Sequence, residues 1–172
     1  MKRISYLFFI QALNFLLFII PFNFFRITLL RASGAHVKFS TYIARGIKVD
    51  FPWRIIIGMN CYISKGVYLD GRGGNIMIGD NVDISMDAIL FTLSHNINSE
   101  DFSIVKGDIF VCKRAWICAR AIILPSAYVA SGSVIGANSV FGGKSKPYEL
   151  LRGVPAAHVK FLSGSRSKSV RA

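Results

Sequence analysis

Aliphatic and polar positions alternate with a period of six residues over most of this 172-residue chain. From residue 37 onward, five groups of three aliphatic or aromatic positions follow this period. They are Val37, Ile43 and Val49; Ile57, Ile63 and Leu69; Ile78, Ile84 and Leu90; Val111, Ile117 and Ile123; and Val129, Ile135 and Phe141. A period of six fits neither an α-helix, which repeats every 3.6 residues, nor a flat strand, which alternates every two. It predicts short strands joined by tight corners, three strands to a turn.

Small residues accompany the aliphatic series four positions later. They are Cys61, Val67, Val82, Ala88, Ala115, Ala121, Ala127, Ser133 and Ser139. Small side chains suit places where the backbone turns a corner and larger ones would clash. Six-residue repeats with this pattern are typical of a parallel β-helix. We therefore predict an all-β fold of about five coils, stacked at the strand spacing of about 4.8 Å.

The first 33 residues have a different composition, because seven of the fourteen phenylalanines lie in the first 25 residues. The stretch ISYLFFIQALNFLLFII follows two basic residues, and no small-x-small cleavage site follows it. It is slightly shorter than the roughly 20 apolar residues that cross a bilayer as a helix. We expect segment 1–33 to be an uncleaved apolar helix that dips into or lies on a membrane, with four cations near anionic headgroups: Lys2, Arg3, Arg26 and Arg31. The alternative is a soluble helix that packs on its own domain or on a neighbouring subunit.

The net charge is +12, which favours an anionic partner such as nucleic acid, an acidic membrane face or a phosphorylated small molecule. No basic stripe interleaved with aromatic residues and no nucleic-acid motif is present, so we expect no nucleic-acid partner. The three cysteines form no C-x-x-C pair, which argues against a disulfide framework or a zinc knuckle.

One long interruption breaks the six-residue period between Leu90 and Val111, and His95 lies just inside it. A solenoid has flat faces, and functional residues favour loops that a rigid scaffold holds in place. We therefore expect loop 94–108 to build a cleft, with His95 at its root.

Two further stretches carry a resemblance to a known family. VCKRAWICARAIILPSAYVASGSVIGANSVFGG, followed by RGVPAAHVK, resembles the C-terminal half of the hexapeptide-repeat O-acetyltransferases, and LLRASGAHVKFSTYIARGIKVDFPWRIIIG resembles the beginning of the colanic-acid and capsule type. The resemblance covers residues 26 to 161 approximately. It implies a left-handed β-helix over 34–161, a homotrimer with active sites between neighbouring prisms, and acetyl-CoA as donor without an acyl-enzyme. The composition of residues 162–172 predicts a basic flexible tail.

The resemblance also implies roles for individual residues. His95 matches the family's catalytic histidine, and a neutral imidazole is a suitable general base for removing a hydroxyl proton. Its orienting partner is left open between Asp83, Asp87, Glu100, Asp101 and a backbone carbonyl. The positions expected to bind acetyl-CoA are Ala119, Ala137, Gly142, Gly143, Lys144 and Lys160. Gly142 and Gly143 stand where the family often has Thr-Lys, so Lys144 or Lys146 is expected to take over the phosphate contact.

Three residues are candidates for the site that binds the sugar acceptor. Asp70 lies near the family's sugar-contacting aspartate, Asn96 lies in the loop, and Trp116 is expected to pack beside the cleft. We expect no metal, because a zinc site needs several converging ligands. The three histidines, His36, His95 and His158, fall before the first coil, in the third and after the fifth.

The resemblance implies an O-acetyltransferase, and we expect it to act on a sugar hydroxyl of a surface polysaccharide or of its lipid-linked precursor. Acetyl-CoA as donor and the apolar N-terminus favour the cytoplasmic side of a bacterial inner membrane. Two alternatives remain open: an N-acetyltransferase of a nucleotide-linked amino sugar, and a non-catalytic β-helix scaffold.

Overall fold

The computed structural model describes residues 3–163, so most of the predicted tail, 162–172, lies outside the described residues. Two helices come first, α1 (Arg3–Ile19) and α2 (Asn23–Ala32). A parallel β-solenoid of five coils follows. Its first three coils contain β1 (His36–Val37), β2 (Tyr42–Ile43) and β3 (Lys48–Asp50); β4 (Ile55–Ile57), β5 (Tyr62–Ile63) and β6 (Tyr68–Asp70); and β7 (Ile76–Ile78), β8 (Asp83–Ile84) and β9 (Ile89–Phe91).

A hairpin of β10 (Leu93–His95) and β11 (Ile104–Lys106) separates the third coil from the fourth. The last two coils contain β12 (Ile109–Val111), β13 (Trp116–Ile117) and β14 (Ile122–Ile123); and β15 (Tyr128–Val129), β16 (Val134–Ile135) and β17 (Val140–Phe141). An antiparallel pair, β18 (Glu149–Gly153) and β19 (Ala156–Phe161), closes the far end. The predicted all-β solenoid of about five coils behind an apolar helical segment is confirmed, and its left-handed sense stays a prediction.

The six-residue series forms the core. All fifteen predicted positions are buried, none more than 4% exposed. Strands of successive coils pair in register, so that Val37 aligns with Ile57, Ile57 with Ile78, and Ile78 with Val111. The three sheets that result are called here sheet A (from β1), sheet B (from β2) and sheet C (from β3).

The corners turn through residues in the left-handed conformation, three positions after the aliphatic residue. Glycine serves at Gly46, Gly66 and Gly132, and other residues adopt positive φ at Asn60, Asn81, Asp87, Arg114, Arg120, Ser126 and Asn138. Gly66 has φ +72°, and a Cβ there would lie 1.9 Å from Oδ1 of Asp87. The small residues predicted for the corners lie one position further on and are buried.

The two helices close the open end of the solenoid, where the first strand of each sheet has an unpaired edge. The side chain of Asn14 accepts from the Val49 N–H at 2.9 Å and donates to its carbonyl at 3.1 Å. Asn23 accepts from the Ile43 N–H at 2.8 Å, and Arg31 donates to the Val37 carbonyl at 2.8 Å. These polar side chains satisfy backbone groups that an added strand would otherwise satisfy.

Arg26 corrects one expectation from the sequence. It was expected near lipid headgroups, but it is 1% exposed, and its Nε donates to the Ile43 carbonyl at 2.8 Å. Arg26 lies between α2 and β2, in the pair of helices α1 and α2 that closes the solenoid, called here the helical cap. This buried hydrogen bond explains why a cation occurs in an otherwise apolar part of the helix. Within residues 3–163, no helix is long and apolar enough to cross a membrane.

Three insertions share one edge of the prism, where sheet C passes into sheet A. The first coil carries the turn Pro52–Arg54 there, the second carries residues 71–75, and the third carries residues 92–108. They stack on one another: the Arg54 guanidinium donates to the carbonyls of Gly71 and Arg72. Within residues 3–163, the repeat is therefore interrupted only along the edge that bears His95.

Candidate active site

The hairpin that carries His95 is anchored firmly at its base. The Thr92 side chain is buried, its Oγ1 donates to the Asp70 carbonyl at 2.6 Å, and the Gly73 N–H donates to it at 2.9 Å. The Gly107 N–H closes the base by donating to the Thr92 carbonyl at 3.0 Å. Beyond this base most residues of the hairpin are exposed, and the part of loop 94–108 in building a cleft stays a prediction.

His95 is held by a backbone carbonyl within the same hairpin. Its Nδ1 lies 2.7 Å from the Phe102 carbonyl oxygen, and the ring is exposed. Because a carbonyl only accepts, Nδ1 must carry the hydrogen, and in the neutral ring Nε2 then keeps its lone pair. Of the partners left open by the sequence, the structure places the carbonyl beside the ring. The side chain is therefore arranged to accept a proton at Nε2.

Asn96 shapes the hairpin turn next to His95. Its Oδ1 accepts from the Asn98 N–H at 3.0 Å, and its own N–H donates to the Ser103 carbonyl at 2.8 Å. Ser99 adds a further bond, from its Oγ to the Asn96 carbonyl at 3.0 Å. These bonds assign Asn96 a local structural role, and a contact with the acceptor stays a prediction.

Asp70 lies on the same edge, one coil before the hairpin, but its carboxylate is fully buried. Arg72 donates to both carboxylate oxygens through Nε and Nη2, at 2.7–3.0 Å. The hydrogen bonds to Asp70 raise the pKa of Arg72, whose side chain is 46% exposed. The group presented to solvent at this position is therefore Arg72, which the sequence reasoning missed although the GRGG insertion marks its place.

The predicted acetyl-CoA residues fall into three places. Ala119 and Ala137 stack at the corner between sheets B and C, where the Asn138 N–H donates to the Ala119 carbonyl at 3.0 Å. Gly142 and Gly143 follow β17 on the edge that carries the hairpin, and a Cβ on Gly143 would meet no atom within 4 Å. Lys144 and Lys160 are exposed, Lys144 beside Tyr128 on sheet A and Lys160 on β19.

Trp116 lies on sheet B, where it borders a shallow depression of about 270 Å³. Its Nε1 donates to Ser85 Oγ at 2.9 Å. The remaining lining residues are Tyr62, Ser64, Asp83 and Ile84. Tyr62 also stacks on Tyr42, with 4.8 Å between the ring centroids. This depression combines an aromatic wall with hydroxyl and carboxyl groups.

The candidate residues do not meet within one subunit. In a three-sided prism, sheet B is the face opposite the edge between sheets C and A, so Trp116 lies across the solenoid from His95. Gly142 and Gly143 share the edge of His95, whereas Ala119 and Ala137 lie at another corner. A single chain therefore presents two separate halves of the predicted site.

The described residues contain no group of three or more His, Cys, Asp or Glu side chains that could hold a metal ion. His158 pairs instead with Glu149, with 2.7 Å from Nδ1 to Oε1, at the antiparallel end of the solenoid.

Comparison with known sequences gives a partial match. No protein-family profile matches the chain. A protein described as the colanic acid biosynthesis acetyltransferase WcaF of Escherichia coli is 31% identical over 92 residues, which cover 54% of this chain and 50% of that protein. The chain thus matches about half the length of this relative.

Comparison with solved structures shows the fold. A hexapeptide-repeat acetyltransferase of Vibrio cholerae, complexed with acetyl-CoA, superposes with a TM-score of 0.82 at 24% identity, over 92% of this chain and 88% of that one. AntD, an N-acyltransferase of Bacillus cereus in complex with dTDP-4-amino-4,6-dideoxyglucose and CoA, superposes with a TM-score of 0.64 at 18% identity, over 82% and 91%. The resemblance drawn from the sequence is confirmed at the level of the solenoid fold.

Proposed function

We propose that this chain, a β-solenoid with the fold of the hexapeptide-repeat acetyltransferases, transfers an acetyl group from acetyl-CoA to a sugar hydroxyl. The observation that carries the proposal is the bond between His95 Nδ1 and the Phe102 carbonyl, on the one hairpin that interrupts the described solenoid. This bond leaves Nε2 as the proton acceptor. The sequence similarity to WcaF and the acetyl-CoA bound to the Vibrio cholerae structure support the donor.

The reaction needs one proton acceptor and no covalent enzyme intermediate. Nε2 of His95 takes the proton of the acceptor hydroxyl while its oxygen attacks the thioester carbonyl. The tetrahedral intermediate then collapses, the C–S bond breaks, and the departing thiolate takes the proton back from the imidazolium. A positioned base of this kind contributes about 10²–10⁴-fold to the rate.

A homotrimer would join the two halves of the site. The hairpin of one subunit would face the depression beside Trp116, or the corner with Ala119 and Ala137, on its neighbour. Cyclic trimers repeat one heterologous contact three times, so three equivalent sites would form. The trimer is supported here by the separation of His95 from Trp116 in the single chain.

The acceptor is proposed to be a surface polysaccharide or its lipid-linked precursor, modified on the cytoplasmic side of a bacterial inner membrane. The colanic acid relative supports the polysaccharide. The alternative is N-acetylation of a nucleotide-linked amino sugar, which the likeness to AntD favours. Both alternatives use acetyl-CoA as the donor.

The experiment that separates them starts from thiol release. The protein is incubated with acetyl-CoA and an extract of lipid-linked saccharides, or with nucleotide-linked amino sugars, and the acetylated product is treated with mild alkali. Acceptor-dependent thiol release with an alkali-labile acetyl group supports O-acetylation, whereas an alkali-stable group indicates an amide. A protein that releases no thiol with either class and does not bind acetyl-CoA would instead be a scaffold.

A further inference from the structure

The helical cap shows an unusual distribution of polar and apolar side chains. On the inward side of α1, the Tyr6 hydroxyl accepts from the Phe51 N–H and the Asn14 amide accepts from the Val49 N–H. Leu13 and Leu17 are buried on the same side. The outward face is mostly apolar and rich in phenylalanine, although Ser5 and Gln11 of α1 are also exposed. Six of these rings are 55–70% exposed: Phe8, Phe15, Phe18, Phe22, Phe24 and Phe25.

Cations surround this aromatic face. The first 49 residues contain seven basic residues and no acidic residue, and of these Arg26 is buried between α2 and β2 and does not border the face. Arg31, Lys38, Arg45 and Lys48 are exposed. The Arg45 guanidinium lies 6.0 Å from the ring centroid of Phe18. The face therefore combines exposed apolar rings with a border of one charge sign.

An apolar groove of about 440 Å³ runs along α1 within this face. Its apolar lining comes from Ile10, Phe15, Phe18 and Ile47, and Lys48 and the amides of Gln11 and Asn14 also line it. Gly46 forms part of the floor, and a Cβ there would lie 3.4 Å from the Phe18 ring. An apolar channel beside an ammonium group suits an acyl chain that ends in an anionic headgroup.

We infer that the outer face of α1 and α2 binds the surface of an anionic bilayer, with α1 lying in the plane of the interface. The phenylalanine rings enter the boundary between headgroups and acyl chains, and the basic residues contact lipid phosphates. A second copy of this chain is a poorer occupant, because a two-fold contact would bring two positive faces together.

The test uses sedimentation with vesicles, without acetyl-CoA or acceptor, so its result is independent of the proposed reaction. Vesicles of phosphatidylcholine alone are compared with vesicles that also contain phosphatidylglycerol. The full chain should bind the anionic vesicles and release partly at high salt. Phe8→Ser with Phe15→Ser should lower the partition coefficient by about tenfold for each ring removed, and Lys48→Glu should lower it for anionic vesicles only.

The matched control is Val154→Ser, which removes an exposed apolar side chain between β18 and β19, at the opposite end of the solenoid. It should bind like the parent, and thermal unfolding of all variants should match. Failure of the parent to bind anionic vesicles would overturn the inference. The inference would also be overturned if the double variant bound anionic vesicles as strongly as the parent. A change in oligomeric state on removing Phe8 and Phe15 would overturn it too, because that result would assign the face to a subunit contact.

Discussion

Replacing Asn14 with leucine tests whether α1 closes the solenoid as the structure shows. The amide of Asn14 bonds to both the N–H and the carbonyl of Val49, a residue at the buried edge of sheet C. Leucine has nearly the same size but cannot satisfy either group. Each buried backbone group left without a partner costs about 1–3 kcal/mol. Leucine regains part of this through its apolar surface, so we expect a net loss of about 2–4 kcal/mol.

For a chain of this length, that loss corresponds to a melting temperature roughly 5–15 °C lower. The assay is thermal unfolding by circular dichroism at fixed protein concentration, together with the fluorescence of Trp53, whose ring centroid lies 6.1 Å from that of Tyr6 on α1. The matched control is Gln11→Leu, which makes the same polar-to-apolar change on the exposed side of α1 and should leave stability nearly unchanged. If Asn14→Leu melts at or above the parent temperature, α1 does not use Asn14 to cap the solenoid, and the helix instead buries this position in an apolar environment.

Three further predictions concern the corners, the closing strands and the subunit arrangement. Gly66→Ala should lower the free energy of unfolding by about 1–3 kcal/mol, because Gly66 has a positive φ and an added Cβ would clash with Asp87. In an Asp87→Ala background the same substitution should cost less, and denaturant titration measures both effects. At Glu149, burial raises the pKa, but the Lys146 N–H and His158 together lower it below its usual value. Its contribution to stability is therefore present above the unfolded-state pKa and is lost as the pH falls through the lower folded-state pKa. Glu149→Gln should flatten the decline in melting temperature on the acid side of the pH range in which an unfolded glutamate titrates. Finally, Trp116→Ala should be inactive by itself, as His95→Ala should be, if both residues belong to the site. If that site is shared between subunits, equal amounts of the two chains assembled together should regain about a quarter of the parent activity, whereas a site within one chain would regain none.

The repeat made most of the fold predictable. Because every coil buries its residues in the same way, the positions of Ile57, Ile63 and Leu69 determine the next coil as well, and each sheet pairs in register. The loop with His95 was predictable for the same reason, since an interruption is visible against a regular period. The corner residues with positive φ were not predicted, because side chains as different as those of Asn60 and Arg114 occupy equivalent corners.

The N-terminal segment and the acceptor site were less predictable, because both depend on contacts between distant residues. Asn14 reduces the apolar character of its helix in the sequence, and only the contact with Val49, 35 positions away, explains it. The buried Arg26 is likewise explained only by a distant contact, the hydrogen bond from its Nε to the Ile43 carbonyl. Asp70 looks accessible in the sequence, yet Arg72 covers its carboxylate in the folded chain.

Thiol release from acetyl-CoA by the parent protein and by His95→Ala is the most direct test of the proposed reaction. The acceptor is an extract of lipid-linked saccharides, and His158→Ala serves as the control because His158 pairs with Glu149 away from the hairpin. We expect the parent and the control to release thiol at similar rates. We expect His95→Ala to be slower by about 10²–10⁴-fold while it still binds acetyl-CoA. Acceptor-dependent release by His95→Ala at the parent rate would contradict the assignment of His95 as the base.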